Sequence, residues 1–254
     1  MGKKYFYGFA IAVLAGVFNA YAAEPTVELE ARQWNSKFSS KAKVVRFNIG
    51  RTFDLDKDLG VGDEEISEGV LTFHTGKQSK IRLSYYDVEF EGSESLTQTI
   101  EFQGFSYNVG TTVNSSVDIQ YARLGWLYYF GEATDSFRVG TIVEAKAIDF
   151  DIALEVPALP SQNQDESAIG GLLTLGLAFE FRPVDKLLVY GEAAGMSGGS
   201  HGRFVEAEGG LKYELFDYMS VSAGYRMIDF KLKDDPDFLE MKLEGYFFGA
   251  GLQF

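Results

Sequence analysis

The last fourteen residues of the chain, Met241–Phe254, read MKLEGYFFGAGLQF and alternate between two kinds of side chain. The even-numbered positions near the end are apolar, and they are Tyr246, Phe248, Ala250, Leu252 and Phe254. The odd-numbered positions are mostly glycine or amide, and they are Gly245, Phe247, Gly249, Gly251 and Gln253. Strict alternation over about ten residues is typical of a strand with lipid on one face and a polar lumen on the other. The segment therefore predicts a membrane-crossing β-strand at the end of the chain.

A final strand with this alternation and a terminal Phe254 resembles the last strand of bacterial outer-membrane β-barrel proteins, in particular the small monomeric barrels. The resemblance implies a location in the bacterial outer membrane, in contact with its lipids and with lipopolysaccharide. It also implies that the strand ending at Phe254 is the signal read by the barrel-assembly machinery. The specific part of the resemblance lies in this strand and the N-terminal segment, and it points to no single member family.

The N-terminal segment has the pattern of a secretory signal peptide. Two lysines precede an apolar stretch, residues 5–18, and residues 20–22 (AYA) supply the small-x-small cleavage pattern. The sequence therefore predicts a signal peptide over residues 1–22 and a mature outer-membrane barrel over residues 23–254. A secreted periplasmic protein is the alternative that the same segment allows.

Composition limits the classes of partner and of covalent chemistry. The formal net charge of −14 argues against nucleic acid as a partner, because phosphate binding needs a basic surface. A chain this acidic meets anionic lipopolysaccharide only where divalent cations bridge the two, and acidic loops such as the one holding Asp234, Asp235 and Asp237 are the expected place for such cations. The absence of cysteine excludes disulfides and cysteine metal ligands.

Turn-forming segments divide the chain into short and long connections. The short ones fall at residues 76–79, 131–136, 182–186 and 214–219, and the long ones at 54–67, 91–114, 155–168, 196–203 and 233–240. Short periplasmic turns and long external loops are the arrangement of outer-membrane barrels. The spanning strands predicted between them cover residues 68–75, 80–90, 116–130, 137–153, 169–181, 186–195, 203–213, 220–232 and 241–254.

The segment before residue 54 decides the strand count. Residues 27–31 alternate apolar with charged side chains and suit one spanning strand. Residues 45–49 alternate in the same way and suit either a hairpin arm outside the membrane or a further spanning strand. We predict an all-β, transmembrane, antiparallel up-and-down barrel of about ten strands, with twelve or eight as the alternatives. A second hairpin outside the membrane is expected within residues 97–113.

Parity along these strands assigns each side chain to the lipid or to the lumen. The predicted lipid face includes an aromatic belt at the periplasmic ends: Trp126, Tyr128, Phe130, Phe137, Phe179, Phe181, Tyr213 and Phe254. The predicted lumen face carries seven acids and seven bases: Glu28, Glu30, Glu144, Glu180, Glu192, Glu206 and Glu208, with Arg32, Arg82, Arg123, Arg138, Lys146, Lys212 and Arg226. Equal numbers favour a narrow lumen filled with paired charges, because an unpaired charge in a nearly dry interior is costly. A polar pore or an acid/base site is the alternative.

Candidates for catalysis and metal binding are few. Ser200 and His201 are adjacent in a glycine-rich loop, where neighbouring side chains point apart, and His74 lies near a short turn. A protease of the omptin kind needs an Asp-x-His pair, which the chain lacks. The acidic segment 54–65 places carboxylates at four positions of a calcium loop, but Leu59 occupies the sixth position, where that loop needs glycine. The sequence therefore assigns no catalytic, cofactor-binding or metal-binding residue.

These patterns predict an integral outer-membrane barrel with a structural, surface or small-channel (porin-like) role and a charge-filled lumen. A non-enzymatic role fits them best. The alternative is an outer-membrane enzyme that modifies lipid A or surface peptides, for which a serine with a histidine and an acidic partner is the expected site.

Overall fold

A computed structural model of the chain describes residues 27–43, 52–97, 99–102, 105–132, 136–234 and 237–254. Its strands, in chain order, are β1 (Val27–Lys43), β2 (Thr52–Asp54), β3 (Glu64–His74), β4 (Ser79–Ser95), β5 (Ile100–Phe102), β6 (Phe105–Tyr107), β7 (Thr112–Phe130), β8 (Phe137–Glu155), β9 (Gln164–Val184), β10 (Leu187–Ser197), β11 (Gly202–Phe216), β12 (Met219–Asp234) and β13 (Asp237–Gln253). Ten of these, β1, β3, β4 and β7 to β13, form one sheet in which each strand pairs antiparallel with the next. β13 also pairs with β1, from Gln253 opposite Glu28 to Phe238 opposite Lys43, which closes the sheet into a barrel. The prediction of a ten-stranded up-and-down barrel is confirmed, and the alternative counts of eight and twelve are wrong for the described residues.

The two ends of the barrel differ in their connections. At the short-turn end, β9–β10 and β11–β12 are joined by two residues each, and the chain terminates there at Phe254. The opposite end, the long-loop end, holds β2, the hairpin of β5 and β6, a one-turn helix α1 (Leu55–Asp58) and two short 3-10 helices (Pro160–Gln162 and Gly199–His201). The β5–β6 hairpin is the one predicted within residues 97–113. No helix in the described ranges is long and apolar enough to span a bilayer.

Two sequence-based predictions fall on parts of the chain for which the structure gives no description. They are the signal peptide over residues 1–22 and the hairpin arm or extra strand over residues 45–49. Both stay predictions.

A continuous apolar band covers the outside of the barrel nearest the short-turn end. The predicted lipid-facing side chains point outward there, and on β9 the leucines 173, 175 and 177 are 63–70% exposed. The aromatic belt is also on this surface, with Trp126, Phe137 and Phe254 exposed. Apolar side chains on the outside of a closed barrel are what a lipid environment selects.

The sidedness of the strands reverses beyond this band. On β4 the outward residues change from Ile81 and Leu83 to Asp87, Glu89 and Glu91, all on one face of the strand. The inward residues change in the opposite sense, and they are Arg82 near the short-turn end and Tyr86, Val88 and Phe90 further along. Since about ten residues cross a bilayer and β4 has 17, its second half projects beyond the band and is built like a water-soluble sheet.

The connections at the long-loop end are shorter than predicted. Residues 196–203 and 233–240 are predicted as loops, yet β10 extends to Ser197 and β11 begins at Gly202. β12 and β13 are likewise paired as far as Asp234 opposite Asp237. Polar and glycine residues favour loops in a sequence, but here the extended sheet faces water on its outer side, so polar residues are compatible with strand pairing.

Candidate functional site: the barrel interior

The interior of the barrel is divided into three layers along its axis. The layer nearest the long-loop end is the apolar plug. Its buried members include Trp34, Phe38, Leu59, Val61, Ile66, Tyr86, Val88, Phe90, Leu96, Tyr107, Val117, Ile119, Leu154 and Val156. The middle is filled by the ion-pair cluster, which consists of Arg32, Glu68, Arg123, Glu144, Lys146, Glu206, Glu208 and Arg226. The layer nearest the short-turn end contains the short-turn cavity, whose volume is about 310 Å³.

Strand residues and loop residues build the apolar plug together. Phe38 and Phe90 pack at 4.8 Å between ring centroids. Leu59 and Val61, from the acidic segment within the long loop predicted over residues 54–67, are buried in the barrel mouth. The backbone carbonyl of Leu59 is held by the Ser115 hydroxyl, which donates to it at 3.0 Å. The acidic segment therefore covers the lumen, while its Asp63, Glu64 and Glu65 are exposed.

A second loop contact fastens the mouth of the barrel. The Tyr107 hydroxyl donates a hydrogen bond to the Gln162 carbonyl at 2.7 Å, which connects the β5–β6 hairpin to the loop between β8 and β9. Burial raises the pKa of Tyr107.

The ion-pair cluster unites residues from six strands. Glu206 accepts hydrogen bonds from Arg226 Nε and Arg123 Nη1, each at 2.9 Å, and pairs with Lys146. Glu68 pairs with Arg226 at 2.9 Å. Every residue of the cluster is at most 7% exposed to solvent. Buried charges of this kind persist only when each has a partner in good geometry.

Further pairs connect the cluster to the remaining lumen charges. Glu144 pairs with Lys146 at 2.7 Å, and Glu208 accepts hydrogen bonds from Arg32 at 2.9 Å and from the Tyr190 hydroxyl at 2.8 Å. All fourteen predicted lumen charges point into the barrel. Glu68 and Lys80 also point inward but are absent from the predicted set, because each stands at the first residue of its predicted strand, where parity is weakest.

The lumen is thus charge-filled only in part, which corrects the sequence-based expectation of charge throughout. The reason is the reversal of sidedness along the strands. Where the outer face meets water, the inner face must supply an apolar core. The sequence signal that could have revealed this is the presence of Trp34 and Phe38 on the same face of β1 as Glu30 and Arg32.

Glycines on the inner face of β13 make room for the charged side chains. A Cβ at Gly249 would lie 2.6 Å from Glu30 Oε1 and 3.1 Å from Arg32 Cγ. Glu30 and Arg32 are themselves paired at 3.0 Å on the neighbouring strand. The glycine and amide face that identifies the last strand in the sequence therefore gives the long side chains of β1 space to meet.

The lining of the short-turn cavity is a mixture of charged, polar and apolar residues. Its basic side chains include Lys80, Arg82, Arg138 and Lys212, and Glu180 is among its acids. Lys80 pairs with Glu180 at 3.0 Å, and Arg138 pairs with the same carboxylate. The turn residues 76–78 also line the cavity, which places it at the short-turn end of the lumen.

Comparison with known proteins identifies the fold of the chain but no family. No protein-family model matches the chain. No curated protein sequence matches it either. Among solved structures, the outer membrane protease OmpT from Escherichia coli is similar with a TM-score of 0.60 at 8% sequence identity, covering 93% of this chain and 99% of that one. The fold is that of the bacterial outer-membrane β-barrels.

Other outer-membrane β-barrels are similar at lower scores. The translocator domain of the autotransporter NalP from Neisseria meningitidis has a TM-score of 0.44 at 12% identity, covering 96% of this chain and 92% of that one. Ail, the attachment invasion locus protein of Yersinia pestis, has a TM-score of 0.38 at 10% identity, covering 91% of this chain and 100% of that one.

The two histidines of the chain are at opposite ends of the barrel. His74 lines the short-turn cavity, whereas His201 and Ser200 belong to the short helix between β10 and β11 at the long-loop end. Within the described part of the chain, no three His, Cys, Asp or Glu side chains converge in a way that could hold a metal ion. The acidic segment inserts Leu59 and Val61 into the barrel mouth.

Proposed function

We propose that this protein is an integral protein of the bacterial outer membrane whose barrel is closed to ions and whose role is structural or at the cell surface. The short-turn end faces the periplasm, and the long-loop end projects outside the cell as a rigid, water-exposed extension of the barrel. The apolar band, the aromatic belt and the likeness to outer-membrane barrels support this location.

The observation that carries the proposal of a closed barrel is the apolar plug. Leu59, Ile66, Phe90 and Val113 are fully buried within the lumen, where a conducting barrel has water and hydrated charges. The ion-pair cluster beneath the plug gives a second layer of closely paired side chains. An ion crossing the barrel would have to displace both layers, each of which is packed from several strands.

The surface of the projecting extension is strongly acidic in places. Glu89 of β4 stands opposite Asp118 of β7, which stands opposite Asp151 of β8. The carboxylate of Asp118 raises the pKa of Glu89. We propose that this surface meets the lipopolysaccharide layer, which is also anionic, through divalent cations that bridge the two.

Conductance of the purified protein in a planar bilayer tests the proposal. The expected result is an absence of single-channel steps above those of the empty bilayer, while a general porin in the same membrane gives steady steps. Steady conductance by this protein, with a reversal potential that moves towards cation selectivity in Arg226→Met, would overturn it. That shift would mean that the guanidinium lines a hydrated pore rather than a packed cluster.

A further inference from the structure

The short-turn cavity contains a corner with more positive than negative charge. Glu180 pairs with Lys80 at 3.0 Å, with Arg182 at 3.4 Å and with Arg138. Among the described residues, Lys80, Arg138 and Arg182 each form a single ion pair, and the partner is Glu180 in all three cases. Three cations against one carboxylate leave an excess of two positive charges, in contrast to the ion-pair cluster, where acids and bases are four each.

Buried donors at this corner have no hydrogen-bond partner within the described protein. They are the Tyr129 hydroxyl, Arg138 Nε and Arg82 Nε. The three residues are 2%, 8% and 5% exposed, and all of them line the cavity. A buried donor without an acceptor costs free energy, so a lining with several of them is suited to a ligand that supplies acceptor oxygens.

The same side chains are held in place by their surroundings. The Tyr129 ring lies beneath both cations, 5.0 Å from Lys80 Nζ and 4.8 Å from Arg138 Cζ. Arg138 Nη1 donates to the carbonyl of Lys77 at 3.1 Å, which fixes the guanidinium against the turn between β3 and β4. The donors are therefore arranged before any ligand arrives.

We propose that this corner of the short-turn cavity binds a phosphate group, with Tyr129, Lys80 and Arg138 as its donors. A phosphate ester carries a charge of roughly −1.5 to −2 at pH 7 and three acceptor oxygens, which matches the excess charge and the unpartnered donors. A carboxylate carries a single charge and leaves part of the excess uncompensated. The cavity volume of about 310 Å³ is at the small end of ligand pockets, so it admits the phosphate with a small substituent.

Two sources of phosphate can reach the cavity, which opens among the turns of the short-turn end. One is a soluble phosphate or phosphate monoester, and the other is the headgroup of a phospholipid in the adjoining leaflet. The site itself does not depend on the proposed surface role, because Tyr129 belongs to a buried cluster that is separate from the apolar plug.

Calorimetric titration of the folded barrel with inorganic phosphate, in a sugar-based detergent without phospholipid, tests the soluble source. We expect saturable binding of one phosphate per barrel. Tyr129→Phe and Lys80→Gln should each weaken it by roughly tenfold to a hundredfold, the loss of a hydrogen bond to a charged group. Glu180→Gln should tighten binding, because it removes the carboxylate that competes for the same donors. Arg203→Gln, which removes a cation at the long-loop end, is the matched control and should leave binding unchanged.

A short-chain phosphatidylglycerol titrated in the same detergent tests the headgroup source. Binding of this lipid that weakens in Tyr129→Phe, without binding of inorganic phosphate, assigns the site to a headgroup and upholds the proposal. Absence of both kinds of binding overturns it, as does binding that ignores Tyr129→Phe and Lys80→Gln. Each variant is first checked for a folded barrel by its migration on an unheated gel. If Glu180→Gln does not fold, Tyr129→Phe decides, since that change removes one oxygen and leaves every ion pair intact.

Discussion

Arg226 is the residue that connects the two packed layers of the barrel. Its Nε and Nη1 atoms donate to Glu206 and Glu68, both at 2.9 Å, and its guanidinium lies 5.0 Å from the ring of Trp34. The side chain is 1% exposed. Burying a guanidinium is costly, and it is compensated here by two carboxylates and by an aromatic face at the base of the apolar plug.

Replacement of Arg226 by Met should destabilise the barrel without opening it. The change leaves Glu68 in the interior without its 2.9 Å partner, and breaking one side of a buried pair costs about 3–5 kcal/mol. The measurement is the unfolding temperature or the urea midpoint in detergent. Arg203→Met is the control, because Arg203 pairs with Asp229 on the exposed surface and such pairs contribute about 1 kcal/mol or less. Equal losses in the two variants would contradict a packed cluster.

Strand β13 closes the barrel. It pairs with β12 along one edge and with β1 along the other, so it joins the end of the chain to the beginning of the described sheet. At its terminus the Phe254 amide donates to the Val27 carbonyl at 2.8 Å, and the Val27 amide donates back at 3.1 Å. Its outer face continues the apolar band, while its inner glycines accommodate the charges of β1.

Replacement of Phe254 by Asp should lower the amount of folded barrel in the outer membrane while secretion across the inner membrane continues. The backbone pairing with Val27 is kept, so the expected loss comes from the aromatic group that the assembly machinery is predicted to read. Fractionation followed by gel migration of the folded form gives the measurement. Phe137→Asp is the matched control, since Phe137 is also an exposed aromatic of the belt at the short-turn end, 57% against 74% for Phe254. Similar losses in both variants would show that lipid contact, rather than a terminal signal, is at work.

In the molecule as a whole, the sheet closes into a ring and side chains fill the interior of that ring. Ten strands pair in a ring, so no barrel strand keeps an open edge along its paired length. From the long-loop end towards the middle, the interior is filled first by the apolar plug and then by the ion-pair cluster. The result is a barrel with an apolar band around one half, whose projecting half has the construction of a water-soluble protein.

This architecture predicts heat modifiability. An unheated sample in detergent should migrate differently from a boiled one on a denaturing gel, because a closed sheet has no free edge at which unfolding can begin. Circular dichroism of the unheated sample should be dominated by strand. Identical migration with and without boiling, or a helical spectrum, would be incompatible with the closed barrel.

The sequence by itself determined the sidedness of the barrel strands, while it left the strand count at about ten, with twelve or eight as alternatives. Side chains alternate with a period of two, so each residue carries the information about whether it faces lipid or lumen. The inward direction of Arg123, Glu144 and Glu206 follows from their neighbours along a single strand. Local information of this kind needs no knowledge of the partner strand.

Only the tertiary structure decided which side chains meet. Arg226 and Glu68 are 158 positions apart and contact each other across the lumen because closure of β13 onto β1 brings distant strands to face one another. The same holds for Lys80 and Glu180, which are 100 positions apart and pair at 3.0 Å in the short-turn cavity, and for Leu59, which a loop inserts into the barrel mouth. Such contacts depend on strand order, register and closure, which are properties of the whole ring, and a pattern read along one strand does not contain them.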